Sequence, residues 1–210
     1  MVILSRSSFR WAYILLLGLL AGCSDSIEEQ LRKDFVSSKP KAEKGDAEAQ
    51  AFVGSYYRLG CGVAHDYEQA VLWFRKAAEQ GNADGQIGLG DSYAAGEGVA
   101  QDHVQAFWWY RKAAAQGDAK AHCHVGNSYL KGKGVAADKV EAYAYYGLAA
   151  AISESAPASD IDLLTSERAR ANISILEKEM SADQIAAGKR RTKELQKELE
   201  AKIAAKKAGK

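Results

Sequence analysis

The sequence predicts an all-α protein: an α/α superhelical solenoid of three helix pairs with flanking cap helices. Three observations lead there. Of 210 residues, 38 are alanine and only 2 are proline, a composition that favours helices. Nineteen glycines are many for a helical chain, so glycine punctuates at fixed places. Displacing the sequence by 36 residues aligns eleven identical columns across three copies without a gap, which is the signature of stacked repeats. The 28 Lys and Arg nearly balance the 27 Asp and Glu, so no basic surplus points to nucleic acid. A hydrophobic fraction of 47% excludes a wholly disordered chain.

At the start, Arg6 and Arg10 precede an apolar run from Trp11 to Leu20. Such a run is too short to span a bilayer, which needs about 20 apolar residues. A cationic start, a short apolar middle and a small-residue exit read as a secretory signal. The exit Leu20-Ala21-Gly22-Cys23 resembles the bacterial lipobox. That resemblance implies cleavage of residues 1–22 as a signal peptide and a diacylglyceryl group on the Cys23 thiol. Acyl chains of this kind hold a protein at a membrane. Ser24, rather than an aspartate, follows the cysteine, which resembles sorting to the outer membrane. The alternative is an ordinary signal peptide with an accidental cysteine.

Residues 23–45 are expected to be a lipid-anchored tether with a short helix. Ser26 and Glu29 have capping-box spacing, and Ile27, Leu31 and Phe35 recur every four residues on one helix face. Pro40 is expected to end this helix, which is expected to cover the first repeat's open end, with Ser37 to Lys44 as a linker.

The repeats occupy 46–153, in copies 46–81, 82–117 and 118–153. Asp46, Asn82 and Asp118 are good N-caps for a first helix, about 47–59 in copy one. Gly54, Gly90 and Gly126 within these helices are expected to allow close approach of a neighbour. Gly60 and Gly62 suit a helix end and a second bend. Asp66, Asp102 and Asp138 then cap the second helix, about 67–80 in copy one, with Gln69, Gln105 and Glu141 at capping-box spacing. Gly81 and Gly117 end two of these second helices. Gly-x-Gly-Val-x-x-Asp, followed by Ala, an aromatic and Ala-Ala at this period, resembles the Sel1-like repeat, a relative of the tetratricopeptide repeat. Copy three departs late, with Tyr145 in place of Trp73 and Trp109, and Ser153 in place of Gly81 and Gly117.

Two further helices are expected after the repeats. Residues 154–180 comprise a loop around Pro157 and a capping helix from about Asp160 to Met180. Residues 181–210 form a basic C-terminal helix and tail, opened by Ser181 and Gln184, with Leu195, Leu199 and Ile203 as its apolar stripe. Its first half is expected to dock and its end, after about Ala201, to fray.

No catalytic constellation emerges, and the chain reads as a non-enzyme without cofactor or metal. Ser128-x-x-Lys131 matches one element of penicillin-recognising enzymes but lacks the Ser-Asp-Asn and Lys-Thr-Gly elements. A cell-wall-ligand binder or enzyme using Ser128 and Lys131 is the alternative function. His122 and His124 cannot ligate one ion from a helix, because residues two apart point about 200° apart. Cys61 and Cys123 are expected to remain thiols.

The leading expectation is a scaffold of the bacterial cell envelope. It would be lipid-anchored through Cys23, face the periplasm, and bind a protein or peptide. By analogy with the tetratricopeptide fold, the first helices line a concave face. The variable columns place Glu48, Asp84 and Lys120 there, with Ser55, Asp91 and Asn127, and also Arg58 and Lys131. The column Ala51, Ile87 and Cys123 is expected to share that face. Trp108 is the other candidate, because Trp109 fills the core column and Trp108 points about 100° away.

Overall fold

The structure, a computed structural model, describes residues 25–155 and 160–208. Among the described residues it is built of α-helices without strands. They are α1 (Asp25–Glu43), α2 (Ala47–Leu59), α3 (Tyr67–Glu79), α4 (Ala83–Ala95), α5 (His103–Ala114), α6 (Ala119–Lys131), α7 (Lys139–Ser155), α8 (Asp160–Glu179) and α9 (Ala182–Ala208). The expected all-α helical-repeat class is therefore what the chain adopts. The residues divide into two compact units. Among the described residues, one comprises 25–101 with 160–161, and the other comprises 102–155 and 162–208.

The caps follow the aspartates and the asparagine. Asp46 accepts from the Ala49 N–H, Asn82 from Gly85 and Asp118 from Ala121. Each satisfies one of the orphan donors of a helix start. Asp66, Asp102 and Asp138 cap α3, α5 and α7 in the same manner. The capping box is only half realised at Asp66 and Asp138. Their own N–H groups donate to the carbonyls of Tyr57 and Tyr129 at 2.9 and 3.0 Å, so the cap needs no side chain reaching back. Glu141 is thereby available elsewhere. At Ser181 the box closes fully: Gln184 Oε1 accepts from the Ser181 N–H, and Ser181 Oγ accepts from the Gln184 N–H.

In the first unit, α2 packs against α1, α3 and α4, and its residues from Ala49 to Tyr56 are all buried. A core of Leu31, Phe35, Phe52, Val53, Tyr56 and Trp73 forms there, with Val63 of the turn packed against it. Full burial of each such side chain is worth about 1.5–3 kcal/mol. Gly54 lets the Phe74 ring close on α2; a Cβ there would sit 2.7 Å from that ring. Gly126 gives Tyr146 the same access in the second unit.

Helix α1 extends past the end expected at Pro40 and through most of the expected linker. It runs through Pro40 to Glu43, and the Ser37 and Ser38 hydroxyls donate to the Asp34 carbonyl just ahead of the proline. Proline removes one N–H donor, yet a helix packed on its neighbours tolerates the loss. The packing is that of a second helix of a repeat. Gly62 lies against the Leu31–Arg32 backbone, Gly98 against Tyr67–Glu68, and Gly134 against His103–Val104. The partners Leu31, Tyr67 and His103 are themselves 36 residues apart. Each of these glycines has φ between 67° and 76°, so both the left-handed backbone and the missing Cβ are required. Ala42 is buried like Ala78 and Ala114, and Gly45 has positive φ like Gly81 and Gly117. Helix α1 is thus a half-repeat that completes the first pair's core.

In the second unit, α6 and α7 enclose Cys123, Tyr143, Tyr146 and Ala149, joined by Ala169, Leu176 and Met180 from α8 and its end. Helix α9 lies along α7. Gly188 meets the Tyr143 ring and Thr192 meets Gly147. Arg191 Nε donates to Glu141 Oε1 at 2.9 Å. Burial opposes the Arg191 charge. The bonds from Glu141, Glu194 and Glu198 outweigh that effect and hold its pKa above the usual guanidinium range.

Candidate functional site

Cys23 lies outside the described residues. The expected binding columns are all described, and they do not behave alike. Glu48 and Asp84 are exposed in the first turns of α2 and α4. Negative charge there also complements the helix dipole. Lys131, exposed in the last turn of α6, does the same at the other end. Lys120 is exposed in the first turn of α6, where the dipole disfavours it, so helix stability does not account for it.

Four of the expected contacts or columns are engaged within the fold. Ser55 is 3% exposed, because α2 is covered by α1, α3 and α4, and it offers nothing to a partner. The column Ala51, Ile87 and Cys123 is core, each 4% exposed or less. Asn127 Oδ1 accepts from the Tyr146 hydroxyl at 2.8 Å, so its amide is engaged within the second unit. Arg58 and Asp91 form an ion pair at 3.3 Å, with the Arg58 guanidinium 5.9 Å from the Phe74 ring centroid. Their variation between copies reflects pairing within the first unit.

Ser128 is buried, and its hydroxyl donates to the His124 carbonyl one turn back at 3.0 Å. Ser92, its counterpart one repeat earlier, donates to the Gly88 carbonyl at the same distance. This is back-bonding within a helix, repeated with the repeat, and it is not the environment of an activated nucleophile. His122 is buried, with Nδ1 2.7 Å from the Asp118 carbonyl. A carbonyl only accepts, so the ring proton is on Nδ1. Burial pulls the His122 pKa below its ordinary value, against the opposing hydrogen bond. His124 instead stacks on Tyr110 at 4.5 Å. Burial raises the Cys123 thiol pKa to about 11, and both Cys61 and Cys123 are thiols.

The sequence reading missed one column that the structure brings out. Gln50 Nε2 donates to the Ala42 carbonyl and Gln86 Nε2 to the Ala78 carbonyl, each eight residues back. Each glutamine is a second donor to a carbonyl in the last turn of the preceding helix, which also accepts from the Gly45 or Gly81 N–H at 3.0 Å. Gln50 also accepts from Gln80 Nε2 at 2.7 Å. The signal was present in the 36-residue alignment, where Ala42, Gly45 and Ala47 match Ala78, Gly81 and Ala83.

Trp108 is the most open Phe, Tyr or Trp among the described residues, 47% exposed on α5. Its ring meets Trp109 edge-on at 4.4 Å, and the Lys112 ammonium lies 3.7 Å from its centroid. Val104, one turn earlier on the helix, is 62% exposed. The two make a short apolar strip with a cationic border, suited to non-covalent contact rather than bond chemistry.

The comparisons with known proteins agree with this geometry. No curated protein matches the chain. It is 28% identical to a protective antigen present in uropathogenic Escherichia coli strains, which displays an SLR fold; the TM-score is 0.54, and the match covers 96% of this chain and 48% of that one. It is 32% identical to a Sel1 repeat protein from Oxalobacter formigenes, with a TM-score of 0.56 and coverage of 72% of this chain and 60% of that one. The chain thus spans about half to three-fifths of the length of these two structures. The family profile of the Sel1 repeat matches residues 47–82, 83–118 and 119–152, with boundaries at the caps Asn82 and Asp118. Capped helix pairs at a 36-residue spacing, and a glycine turn seated on the preceding helix in each copy, make this chain a member of the Sel1 repeat family.

Proposed function

We propose that this Sel1 repeat scaffold is non-catalytic and is held in the bacterial cell envelope, facing the periplasm at the outer membrane, by lipid on Cys23. There it docks a protein or peptide partner. Repeats of this family typically serve protein–protein interaction. The observation that carries the docking reading is the Trp108 and Val104 strip, exposed on α5 while the neighbouring core columns are filled. Large aromatic side chains that become buried on association dominate binding energies. The anchor reading rests on Leu20-Ala21-Gly22-Cys23 directly behind an apolar run.

The test is photo-crosslinking from position 108 in intact envelopes, with a benzophenone amino acid replacing Trp108. A discrete protein adduct is expected, with recovery of that protein in an affinity pull-down weakened about tenfold or more by Trp108→Ala. An acyl-transfer probe that labels Ser128, and fails to label Ser128→Ala, would refute the scaffold and establish the enzyme alternative.

A further inference from the structure

Helix α9 divides its charges between two faces. The face against α7 carries Gly188, Arg191, Thr192, Leu195 and Leu199. Arg191 there engages Glu141, Glu194 and Glu198 at 2.9 to 3.2 Å. Two of those carboxylates belong to α9 itself, so much of the helix's acidic charge is spent on a buried-side cation. The opposite face carries Lys189, Arg190, Lys193 and Lys197, all exposed. At 3.6 residues per turn these four fall within an arc of about 100° and along about 12 Å of helix. Glu200 lies beyond their C-terminal end and is engaged by Gln196 Nε2 at 3.0 Å. The docked face fixes the rotation of the helix, so the basic stripe is held outward.

We propose that this stripe seats the second unit on an anionic phospholipid surface, as an electrostatic contact added to the acyl anchor. The inference rests on the lipid-anchored reading above, because an anchored chain meets a bilayer at high local concentration. Acyl attachment and a polybasic patch are a known physical combination for stable membrane association. Each basic residue near such a surface contributes about a fivefold gain in partitioning. Headgroups suit this stripe better than an acidic protein does. Its four side chains are long, flexible cations with no aromatic or large aliphatic group among them, whereas protein hot spots need such an anchor. Laterally mobile headgroups need only charge.

The full acylated protein is reconstituted on vesicles of phosphatidylcholine alone, or of phosphatidylcholine with phosphatidylglycerol. Lysines are then acetylated with a water-soluble ester and mapped by mass spectrometry. Acetylation of Lys189, Lys193 and Lys197 is expected to slow about fivefold on the anionic vesicles relative to Lys76 and Lys131. The difference should vanish in molar salt, where charges are screened beyond about 3 Å. Equal rates on both vesicles would overturn the proposal. Flotation with the phosphatidylcholine vesicles reports the Cys23 anchor separately, so a failed anchor and a failed stripe give different results.

Discussion

Arg58 and Asp91, 33 residues apart in sequence, form a half-buried ion pair that ties α2 to α4. The contact also sets the Arg58 guanidinium near the Phe74 ring. Asp91→Ala should lower stability by about 1 kcal/mol, read as a shift in the urea midpoint. Asp91→Arg should cost more, because two guanidiniums then face each other. The exchange Arg58→Asp with Asp91→Arg should recover part of the loss. A variant Asp91→Arg as stable as Asp91→Ala would mean that the pair holds nothing. The same contact makes Asp91 unsuitable for testing partner binding, since stability and affinity would change together.

Two glycines of positive φ separate backbone strain from steric overlap. Gly45 has φ 96° with nothing within 4 Å of where a methyl would sit, whereas a methyl at Gly134 would overlap the His103 carbonyl. Gly45→Ala should cost about 1 kcal/mol from the left-handed backbone alone. Gly134→Ala should cost about 3 kcal/mol, since overpacking adds to the strain. Chemical denaturation of the two variants checks the ranking, and equal losses would show that the turn is not seated on α5.

His122 makes stability depend on pH. Burial lowers its pKa in the folded chain, while the unfolded chain keeps a value of about 6.5. The unfolded state therefore binds a proton that the folded state refuses. Stability is full above about pH 6.5 and falls as the pH drops below it. His122→Gln installs the residue that Gln50 and Gln86 hold in the other copies. Its melting temperature should fall less between pH 7 and pH 5 than that of the parent. An unchanged slope would assign the acid sensitivity to other groups.

Helix α9 is held by its middle. Leu195 and Leu199 are 7% and 9% exposed, and Ile203 is 37% exposed. Truncation before Ala201 should leave the melting temperature nearly unchanged. Truncation before Ser181 removes both leucines and the Arg191–Glu141 bond, and should cost roughly 3 kcal/mol or more. Equal stability of the two truncations would mean that α9 contributes nothing to the second unit.

What the sequence revealed and concealed follows from where each constraint acts. The caps Asp46, Asn82 and Asp118 and the turn glycines are local requirements, so their residue types announce them. The third copy's late departure at Ser153 was equally visible, and α7 runs on to Ser155. Helix α1 was less legible because Pro40 argues locally for an end, although Ala42 and Gly45 keep the repeat's register; the seat of Gly62 on Leu31 and Arg32 shows it to be a half-repeat. Among the surface candidates, variability between copies had two sources that a sequence does not separate. Glu48, Lys120 and Trp108 vary and are exposed, whereas Ser55, Asn127 and the Arg58–Asp91 pair vary because they pack or bond within one unit. The half-buried pairing of Glu141 with Arg191, 50 residues on, has no local signal at all.

The scaffold account depends most on the anchor, and the intact mass of the mature protein purified from membranes tests it directly. The account predicts an N-terminus at Cys23 whose mass exceeds that of the bare polypeptide by a diacylglyceryl group, with Cys23→Ser leaving an uncleaved or mislocalised precursor. A mature chain that starts elsewhere, or that starts at Cys23 without added lipid, would contradict it.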